Sequence, residues 1–330
     1  MASDIERPSV AIILPAYNEE LTVAATIREF RAAIPEAAIV VVDNNSRDGT
    51  GQAARAVFGE IGGDTRLIRE PRQGKGLAVR RAFSQVVADV YVLVDADQTY
   101  PADRVHDLIA PILADEADMV VGDRLAAGRY AAQSPRPFHD LGNRLVLGLV
   151  NRLFGATLHD VMSGYRAVSR AFVLGYPILV DGFEIEVDMT LHALDKQFRV
   201  VEIPVEYRER PSGSVSKLRT FSDGRRVLYT ILRVTRHYRP LLFFGTLALL
   251  FGLAGLVAAI PVAQDWIAFQ YIYHVPLAIL ATGLEVVAAI LLALALVLDS
   301  VVHLGRMSYE RDLLNATPSR SSSRRDDQST

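Results

Sequence analysis

The sequence predicts an α/β domain with a doubly wound, mainly parallel sheet, followed by a pair of membrane-spanning helices. Short apolar segments rich in Val and Ile alternate with helical segments over residues 1–210, as they do when helices cover both faces of a parallel sheet. Two long apolar runs follow, and each is long enough to cross a bilayer as a helix. At 330 residues, of which 50% are hydrophobic, the chain can form more than one domain with a large core.

The strands and helices of the first domain can be assigned in chain order. Strands are predicted at residues 9–16, 38–43, 66–70, 90–95 and 118–123, with two short ones around Val200 and Val205. Helices are predicted at residues 18–33, about Thr50–Phe58, Gly74–Val87, after Pro101, and at Glu184–Gln197. The first helix is expected to begin at Asn18, because Glu19 and Glu20 then occupy its first turn.

Composition excludes several classes of protein. The net charge of −3 and the sequence pI near 6.2 give no reason to expect nucleic acid as a partner. The chain has no cysteine, so disulfides and thiolate metal sites are excluded. The first 30 residues lack a continuous apolar stretch behind a basic start, so no secretory signal is expected and the first domain is predicted to be cytoplasmic.

The C-terminal third contains two apolar runs, at about 241–263 and 275–298, and only Glu285 in the second run is charged. A pair of buried core helices is the alternative to membrane spans. Spans are favoured, because soluble helices rarely run this long without a polar face. Glu285 would then lie within the bilayer, where it could face a partner helix, lie on the path by which a lipid enters, or be protonated and passive.

Charges on either side of the two runs predict their orientation. The connecting loop at 264–274 carries Asp265 and no Lys or Arg. The outer flanks carry Arg225, Arg226, Arg233, Arg236 and Arg239 before the runs, and Arg306 and Arg311 after them. By the positive-inside rule, both termini are expected on the cytoplasmic side. The spans are expected to lie in the inner membrane of the cell.

The segments beside the runs complete the predicted organisation. Residues 219–239 mix arginines with apolar residues and are interpreted as an amphipathic helix on the membrane surface, with a solvated connector as the alternative. Residues 315–330 are expected to be disordered. The predicted parts are a domain at 1–210, a loop and juxtamembrane helix at 211–239, two spans within 240–305, and a cytoplasmic tail at 306–330.

Carboxylates follow three of the predicted strands. Asp43 ends one strand, Asp95 and Asp97 follow VYVLV, and Asp123 ends VVGD. Each one could be a helix cap or a turn residue. The carboxyl ends of parallel strands share one edge of the sheet, where ligands bind, so a polar site there is favoured over coincidence. Two like charges one residue apart at the end of an apolar strand suggest a bound divalent cation.

The glycine-rich stretches do not match known phosphate loops. The first turn, PAYNEE, lacks G-x-G-x-x-G and places Glu19 and Glu20 where they would repel a phosphate, which argues against a dinucleotide-binding dehydrogenase. The GKG at 74–76 lacks the spacing of a P-loop. Phosphates would then be held through a metal, and the oxygen ligands of Asp95 and Asp97 suit Mg²⁺ or Mn²⁺.

Eight sequence segments occur in order within residues 9–220: LPAYNEE, VVDNNSRDGT, GKGLAVRRAF, VDADQTYP, VVGDR, DVMSGYRAVSR, GFEIEVDM and EIPVEYRERPSGSVSKL. Together they resemble glycosyltransferase family 2, whose members have the GT-A fold, and within it the polyprenyl-phosphate glycosyltransferases such as the dolichol-phosphate mannose synthases. The resemblance implies a homo-oligomeric membrane enzyme that uses a nucleotide-sugar donor and a polyprenyl phosphate acceptor.

The resemblance also implies roles for residues on the donor side. Residues expected to line the base and ribose are Pro15, Ala16, Tyr17 and Glu19, with Asp43 bonded to the base and Asn45 beside it. The DXD segment is Asp95, Ala96 and Asp97, in which Asp97 is the expected direct metal ligand and Asp95 lies nearer the ribose and metal. In relatives a Gln two residues past the second Asp can complete the metal shell; here that position is Thr99 and a Gln precedes it at Gln98, so the third ligand stays open.

The acceptor side is predicted from charge. A phosphate monoester is largely doubly ionised at pH 7, so it can attack the sugar without a general base and needs only to be held in line. The residues expected to hold it are Arg124, Arg144, Arg210 and Lys217, although surface arginines are the alternative. Asp97 and Arg124 are the expected catalytic residues, and the segment at 211–214 is expected to close over the substrates. Glu184 could contact the sugar or could merely begin a helix.

The predicted reaction is metal-dependent, inverting transfer of one hexose from UDP or GDP to polyprenyl phosphate at the cytoplasmic leaflet. One alternative is transfer to a lipid alcohol, which would require a base, with Asp160 or Glu184 as candidates. Another is a silent membrane scaffold, against which the DXD pair argues. Two spans and the absence of Q-x-x-R-W argue against a processive polysaccharide synthase.

Overall fold

A computed structural model describes residues 8–126, 137–182, 184–211 and 232–316, with the side chains of 137–143 and 312–316 excepted. The chain divides into two units, Met1–Gly224 and Arg225–Thr330. The first unit contains the sheet, and the second contains two long helices.

The first unit is built on a seven-stranded mixed sheet with the order β3-β2-β1-β4-β6-β5-β7. Its strands are β1 Val10–Ala16, β2 Ala38–Asp43, β3 Thr65–Arg69, β4 Val90–Leu93, β5 Met119–Asp123, β6 Arg166–Ser169 and β7 Val200–Pro204. All neighbours pair in parallel except β6, which is antiparallel to both β4 and β5. The prediction of an α/β domain with a mainly parallel sheet is confirmed.

Helices cover both faces of the sheet. They are α1 Val23–Ala33, α2 Thr50–Ile61, α3 Lys75–Gln85, α4 Val105–Leu113, α5 Pro137–Phe154, α6 Arg170–Gly175 and α7 Ile185–Asp195, with a 3₁₀ turn at Ala102–Arg104. Alternate residues of β1 enter different cores: Ile12 and Leu14 lie in one, and Ile13 lies in the other. Burial on both faces explains why the central strands are almost wholly apolar.

The first helix begins later than predicted. Asn18 does not start α1: its backbone is left-handed, with φ of 52°, and its side-chain oxygen accepts a hydrogen bond from the Arg47 N–H at 2.8 Å. A turn closed by Thr22 N–H to the Glu19 carbonyl follows, and the helix begins at Val23. The segment therefore joins the two loops that follow β1 and β2 instead of forming a helical turn.

The sequence analysis missed α5, β6 and α6. Strand β6 is only four residues long and begins with the fully buried Arg166, so it lacks the apolar pattern of a central strand. Near residues 200–205 the structure has one strand, β7, where two short ones were predicted.

The second unit contains two helices, α8 Pro240–Phe269 and α9 Val275–Ala316, each long and apolar enough to cross a membrane. They pack against each other as an antiparallel hairpin, with Gly255 of α8 against Glu285 of α9. In the connection, the carboxylate of Asp265 accepts hydrogen bonds from the N–H groups of Tyr273 and His274, at 2.8 and 2.9 Å. Both helices extend beyond the predicted runs. Of the predicted juxtamembrane helix, only residues 232–239 lie within the described ranges, and 232–238 are helical.

Candidate active site

The carboxylates of Asp95 and Asp97 lie at the carboxyl edge of the sheet, just past β4. The strand ends at Leu93, and the Val94 N–H still bonds to the Ile13 carbonyl of β1. Asp97 is 3% exposed, whereas Asp95 is partly exposed. The two carboxylates thus differ in environment although they are one residue apart.

Both oxygens of Asp97 have partners. The Oδ1 atom accepts hydrogen bonds from the Thr99 N–H at 3.1 Å and hydroxyl at 2.5 Å. The Oδ2 atom lies 2.5 Å from an Arg210 nitrogen. Burial and the negative charge of Asp95 raise the pKa of the Asp97 carboxyl above its usual value, although Arg210 and Thr99 act in the opposite direction. A cation shared with Asp95 would relieve this repulsion.

Asp95 belongs to a second, three-residue cluster that the sequence analysis did not identify. The Lys75 ammonium forms ion pairs with Asp95 and, at 2.5 Å, with Glu186 near the start of α7. Burial alone would lower the pKa of Lys75, but the two carboxylates outweigh it and raise the pKa above its usual value. Lys75 is therefore a fixed positive charge beside the first aspartate of the DXD segment.

Two glycines allow Lys75 to reach this position. A Cβ at Gly74 or Gly76 would come within 2.1 Å of the carbonyl oxygen of Asp181 or Val180, and Gly74 has a φ of 152°. The Gly76 N–H donates to the Asp181 carbonyl at 3.0 Å. In the sequence, the GKG at 74–76 was noted only because it lacks the spacing of a P-loop. In the structure, its glycines let the backbone come close to the segment before α7.

A small cavity lies beside this cluster. Its lining residues include Pro15, Lys75, Asp95, Gly164, Arg166 and Glu186. Two of these side chains are cationic and two are anionic, so the charges of the lining balance.

The predicted donor residues lie at the ends of β1 and β2, which pair through Ala16 and Asp43. Pro15 and Ala16 are the last residues of β1, and Tyr17 follows them. The Asp43 carboxylate accepts a hydrogen bond from the Ser46 N–H at 2.9 Å, and Asn45 has a left-handed backbone between them. These residues share the sheet edge with the DXD segment.

Glu19 shares a positively charged neighbour, Arg210, with the DXD segment. It is 8% exposed, and its carboxylate accepts a hydrogen bond from the Thr22 hydroxyl at 3.1 Å. Arg210 lies 3.9 Å from Glu19 as well as beside Asp97. Arg210 therefore connects the loop after β1 with the loop after β4.

Arg124 follows β5 and forms a forked ion pair with Asp160. Its Nε and Nη2 atoms donate to the two carboxylate oxygens at 2.7 and 2.9 Å. Burial would raise the pKa of Asp160, but the charge and hydrogen bonds of Arg124 outweigh it and hold this pKa below its usual value. The guanidinium carbon lies 5.6 Å from the centre of the Tyr207 ring.

Tyr207 connects the arginine with the DXD segment. Its pKa is raised by burial and by the charge of Asp97. The N–H of the next residue, Arg208, donates a hydrogen bond at 2.8 Å to the carbonyl of Thr99, whose hydroxyl bonds to Asp97. A chain of contacts thus runs from Arg124 through Tyr207 and Thr99 to Asp97. This arrangement brings a guanidinium and a carboxylate pair to one site from different strands.

The remaining predicted residues are placed differently. Arg144 is exposed on α5, and Lys217 lies outside the described residues, as does most of the segment at 211–214. Glu184 directly precedes α7, with its carboxylate close to Gly182. Asp123 accepts hydrogen bonds from the N–H groups of Leu125 and Ala126, at 2.8 and 3.1 Å, and so closes a turn. Gln98 has a left-handed backbone and bonds to Glu29 at 3.3 Å.

The residues present fit a hard divalent cation. Asp95 and Asp97 offer carboxylate oxygens, the ligand type that Mg²⁺ and Mn²⁺ favour. Both carboxylates already have positive partners, Lys75 and Arg210, which shows that the site attracts positive charge. The Thr99 hydroxyl, at 2.5 Å from Asp97, is the nearest further oxygen contact described for that carboxylate.

Comparison with known proteins identifies the family. Residues 11–174 match the family described as Glycosyl transferase family 2. Glycosyltransferase AglJ of Haloferax volcanii is 30% identical over 92% of this chain and 97% of its own length. Undecaprenyl-phosphate mannosyltransferase of Micrococcus luteus is 30% identical over 69% of this chain and 93% of its own.

Among solved structures, glucosyl-3-phosphoglycerate synthase of Mycobacterium tuberculosis in complex with Mn²⁺ and UDP-glucose has a TM-score of 0.51 at 22% identity. The match covers 69% of this chain and 79% of that chain. This likeness supports the fold, and the sequence relatives support the activity class. The chain belongs to glycosyl transferase family 2 and is a glycosyltransferase with a GT-A-like sheet.

Proposed function

We propose that this glycosyltransferase transfers one hexose from a nucleotide-sugar to a polyprenyl phosphate at a membrane surface, with the help of a divalent cation. The observation that carries the proposal is the connection of Arg124 to Asp97 through the Tyr207 segment and Thr99. In this arrangement Arg124 would bind a phosphate near a carboxylate pair suited to a metal and a diphosphate.

The donor side supports a nucleotide-sugar. The loops after β1 and β2 carry the residues expected to hold the base and ribose, and the DXD segment follows the adjacent strand.

Asp95 and Asp97 would hold the cation, and Thr99 is the residue we propose beside them. When bound, the cation supplies charge that stabilises the departing nucleoside diphosphate. Arg210 and Lys75 pair with the same carboxylates, so both side chains are near enough to contact the diphosphate oxygens after small rotamer changes. The protein's part is to hold the sugar and the diphosphate in one orientation.

The acceptor side favours a phosphate over an alcohol. Asp160, a candidate base for the alcohol reaction, has both oxygens bonded to Arg124, and its low pKa makes it a weak proton acceptor. A polyprenyl phosphate brings its own ionised oxygens and needs no base. Arg124, held in one orientation by Asp160, would orient that phosphate and offset part of its charge.

The membrane part of the proposal rests on α8 and α9. We propose that both cross the inner membrane of the cell, with the first unit and both termini in the cytoplasm, because the arginines flank the helices only on that side. Residues 1–210 would form the catalytic domain, 211–239 the acceptor loop and surface helix, and 306–330 a tail. The name of the Micrococcus luteus relative supports a lipid-phosphate acceptor of this kind.

The test is transfer of radiolabelled sugar into solvent-extractable lipid by purified protein in detergent. Donors would be a panel of UDP- and GDP-hexoses, and acceptors would be polyprenyl phosphate, the matching polyprenol and diacylglycerol, with Mg²⁺, Mn²⁺ or EDTA. We expect label in lipid from one donor, with polyprenyl phosphate only, and loss of label in EDTA.

A matched control variant is Asp107→Asn, which removes an exposed carboxylate paired with Arg104 on the surface. It should transfer sugar at the wild-type rate. Label in diacylglycerol or polyprenol, but not in polyprenyl phosphate, would contradict the proposed acceptor. Full activity in EDTA would contradict the role of the cation.

A further inference from the structure

Arg166 is a buried cation at the functional edge of the sheet. It is 1% exposed and is the first residue of β6. Because β6 runs antiparallel to its neighbours, this first residue pairs with Leu93 at the end of β4 and with Val121 near the end of β5. A guanidinium in this position must find hydrogen-bond acceptors inside the protein.

The acceptors of Arg166 are unusual for a buried charge. Its Nε and Nη2 atoms each donate at 2.8 Å to the carbonyls of Ser163 and Val161, and its Nη1 atom donates at 2.7 Å to the hydroxyl of Thr190. Among the residues that the structure describes, no carboxylate forms an ion pair with it. The guanidinium is thus used to hold the backbone of the loop that leads into its own strand.

That loop, residues 160–164, contacts both charged clusters of the active site. At one end, Asp160 holds Arg124, and the Asp160 N–H donates to Glu202 of β7 at 2.8 Å. At the other end, a Cβ on Gly164 would come within 2.6 Å of the Asp95 carboxylate. A shift of this loop would therefore change the position of Arg124 relative to Asp95.

Thr190 connects the loop with α7. It is fully buried, accepts the hydrogen bond from Arg166, and donates to the Glu186 carbonyl at 3.0 Å. The Glu186 side chain holds Lys75, which in turn pairs with Asp95. The contacts form a closed ring around the cavity, from Asp95 through α7 and the loop back to Asp95.

We infer that Arg166 and Thr190 are positioning residues for sugar transfer: they clamp the loop at 160–164 and so fix Arg124 relative to Asp95. The inference rests on the proposed function, since it assigns Arg124 to the acceptor phosphate. The effect of Arg166 and Thr190 is carried by the loop, which separates the two clusters and contacts each of them.

A purely structural role makes a different prediction, and Thr190 allows the two to be separated. Thr190→Val keeps the shape of the side chain and removes the acceptor for Arg166, while Thr190→Ser keeps that acceptor. Tyr91→Phe is a matched control, because it removes a buried hydroxyl that bonds to Val86 and Ala88 before β4, at the opposite end of that strand. Thr190→Val and Tyr91→Phe both remove buried hydroxyl hydrogen bonds, and the bond lost in Thr190→Val is the stronger one because its donor is charged.

The experiment measures steady-state transfer by the full chain in detergent together with hydrogen–deuterium exchange of residues 160–164. For Thr190→Val we expect exchange in the loop to be about tenfold faster and the KM for polyprenyl phosphate to rise about fivefold, with the donor KM unchanged. Thr190→Ser should restore both values. Tyr91→Phe should lower the melting temperature without changing either.

Unchanged exchange in the loop of Thr190→Val would overturn the clamp. An acceptor KM that changes equally in Tyr91→Phe would overturn the positioning role. If the wild-type protein transfers no sugar to polyprenyl phosphate, the proposed function fails instead, and faster or unchanged exchange then supports or refutes the clamp by itself.

Discussion

The two charged clusters at the carboxyl edge of the sheet are built in opposite ways. Around Asp95 and Asp97 the carboxylates come from one short segment, and their positive partners, Lys75 and Arg210, reach in from distant parts of the chain. Around Arg124 a single guanidinium is held by both oxygens of one carboxylate, Asp160. In the first arrangement, a divalent cation could displace the present partners of the two carboxylates, because it carries a higher charge. The second fixes the orientation of one cation through both oxygens of one carboxylate.

The difference shows how one sheet edge can hold two anions close together. In the proposed reaction a diphosphate and a phosphate must approach each other, although they repel. A cation at the first cluster would offset the negative charge of the diphosphate, and Arg124 at the second cluster would offset that of the phosphate. The ring of Tyr207 lies against Arg124, on the side from which the chain leads to the DXD segment.

The largest effect is expected at the first cluster. Asp97→Asn keeps the shape and the hydrogen bonds of the side chain with Thr99 but removes the charge that would hold a cation. We expect kcat/KM for transfer to fall on the order of 1,000-fold at saturating Mg²⁺ or Mn²⁺. Steady-state transfer to lipid measures it, with Asp107→Asn as control. A loss below tenfold would show that Asp97 is not a metal ligand.

The family, the fold class and the carboxylate pair could be predicted from sequence, because each depends on local pattern. Apolar strands define the sheet, and Asp95 and Asp97 closely follow one of them, β4. Lys75 and Glu186 could not be assigned, because their roles depend on two segments 111 residues apart that meet through Gly74 and Gly76. The role of Arg166 could not be predicted for a related reason. No local sequence pattern shows that a strand of four residues lies in the middle of the sheet, antiparallel to both of its neighbours.

Asp160→Asn tests the second cluster and should have a smaller, more selective effect. Arg124 would lose its counter-charge and its fixed orientation, since an amide offers only one acceptor oxygen. We expect the KM for polyprenyl phosphate to rise about 100-fold with little change in the donor KM. Arg124→Lys, which keeps the charge without the fork, should show the same pattern. An equal rise in the KM for the donor and in the KM for polyprenyl phosphate would place Asp160 in the donor site.

The charged groups of the two clusters have counter-ions. His192, on the same helix as Glu186, is instead buried among apolar rings, which disfavour its charged form. It packs against Phe172, Tyr176 and Phe198, and burial followed by the charge of Lys196 lowers its pKa to about 4. The unfolded chain takes up this proton near pH 6.5, before the folded one does. Stability should therefore be full above pH 6.5 and fall as the pH drops toward 4.

For His192 the expected loss is about 2 kcal/mol at pH 5 relative to pH 8, the smallest of the three effects. Thermal unfolding of the full chain in detergent, followed by circular dichroism at both pH values, measures it. His192→Phe removes the titrating group and should reduce the pH dependence by this amount. An unchanged pH dependence in the variant would mean that other groups cause the loss.

The reversed strand β6 has a consequence for synthesis of the protein. As the chain leaves the ribosome, β1 to β4 can pair with one another at once, but the next neighbour of β4 in the finished sheet appears only at residues 166–169. Until then β4 has an open edge, and β5 emerges with no partner, since it pairs only with β6 and β7. A nascent chain that stops before residue 166 would carry an unfinished sheet edge exposed to other chains. The segment from residue 166 onward therefore protects the earlier strands from misassembly as well as completing the sheet edge that carries the candidate site.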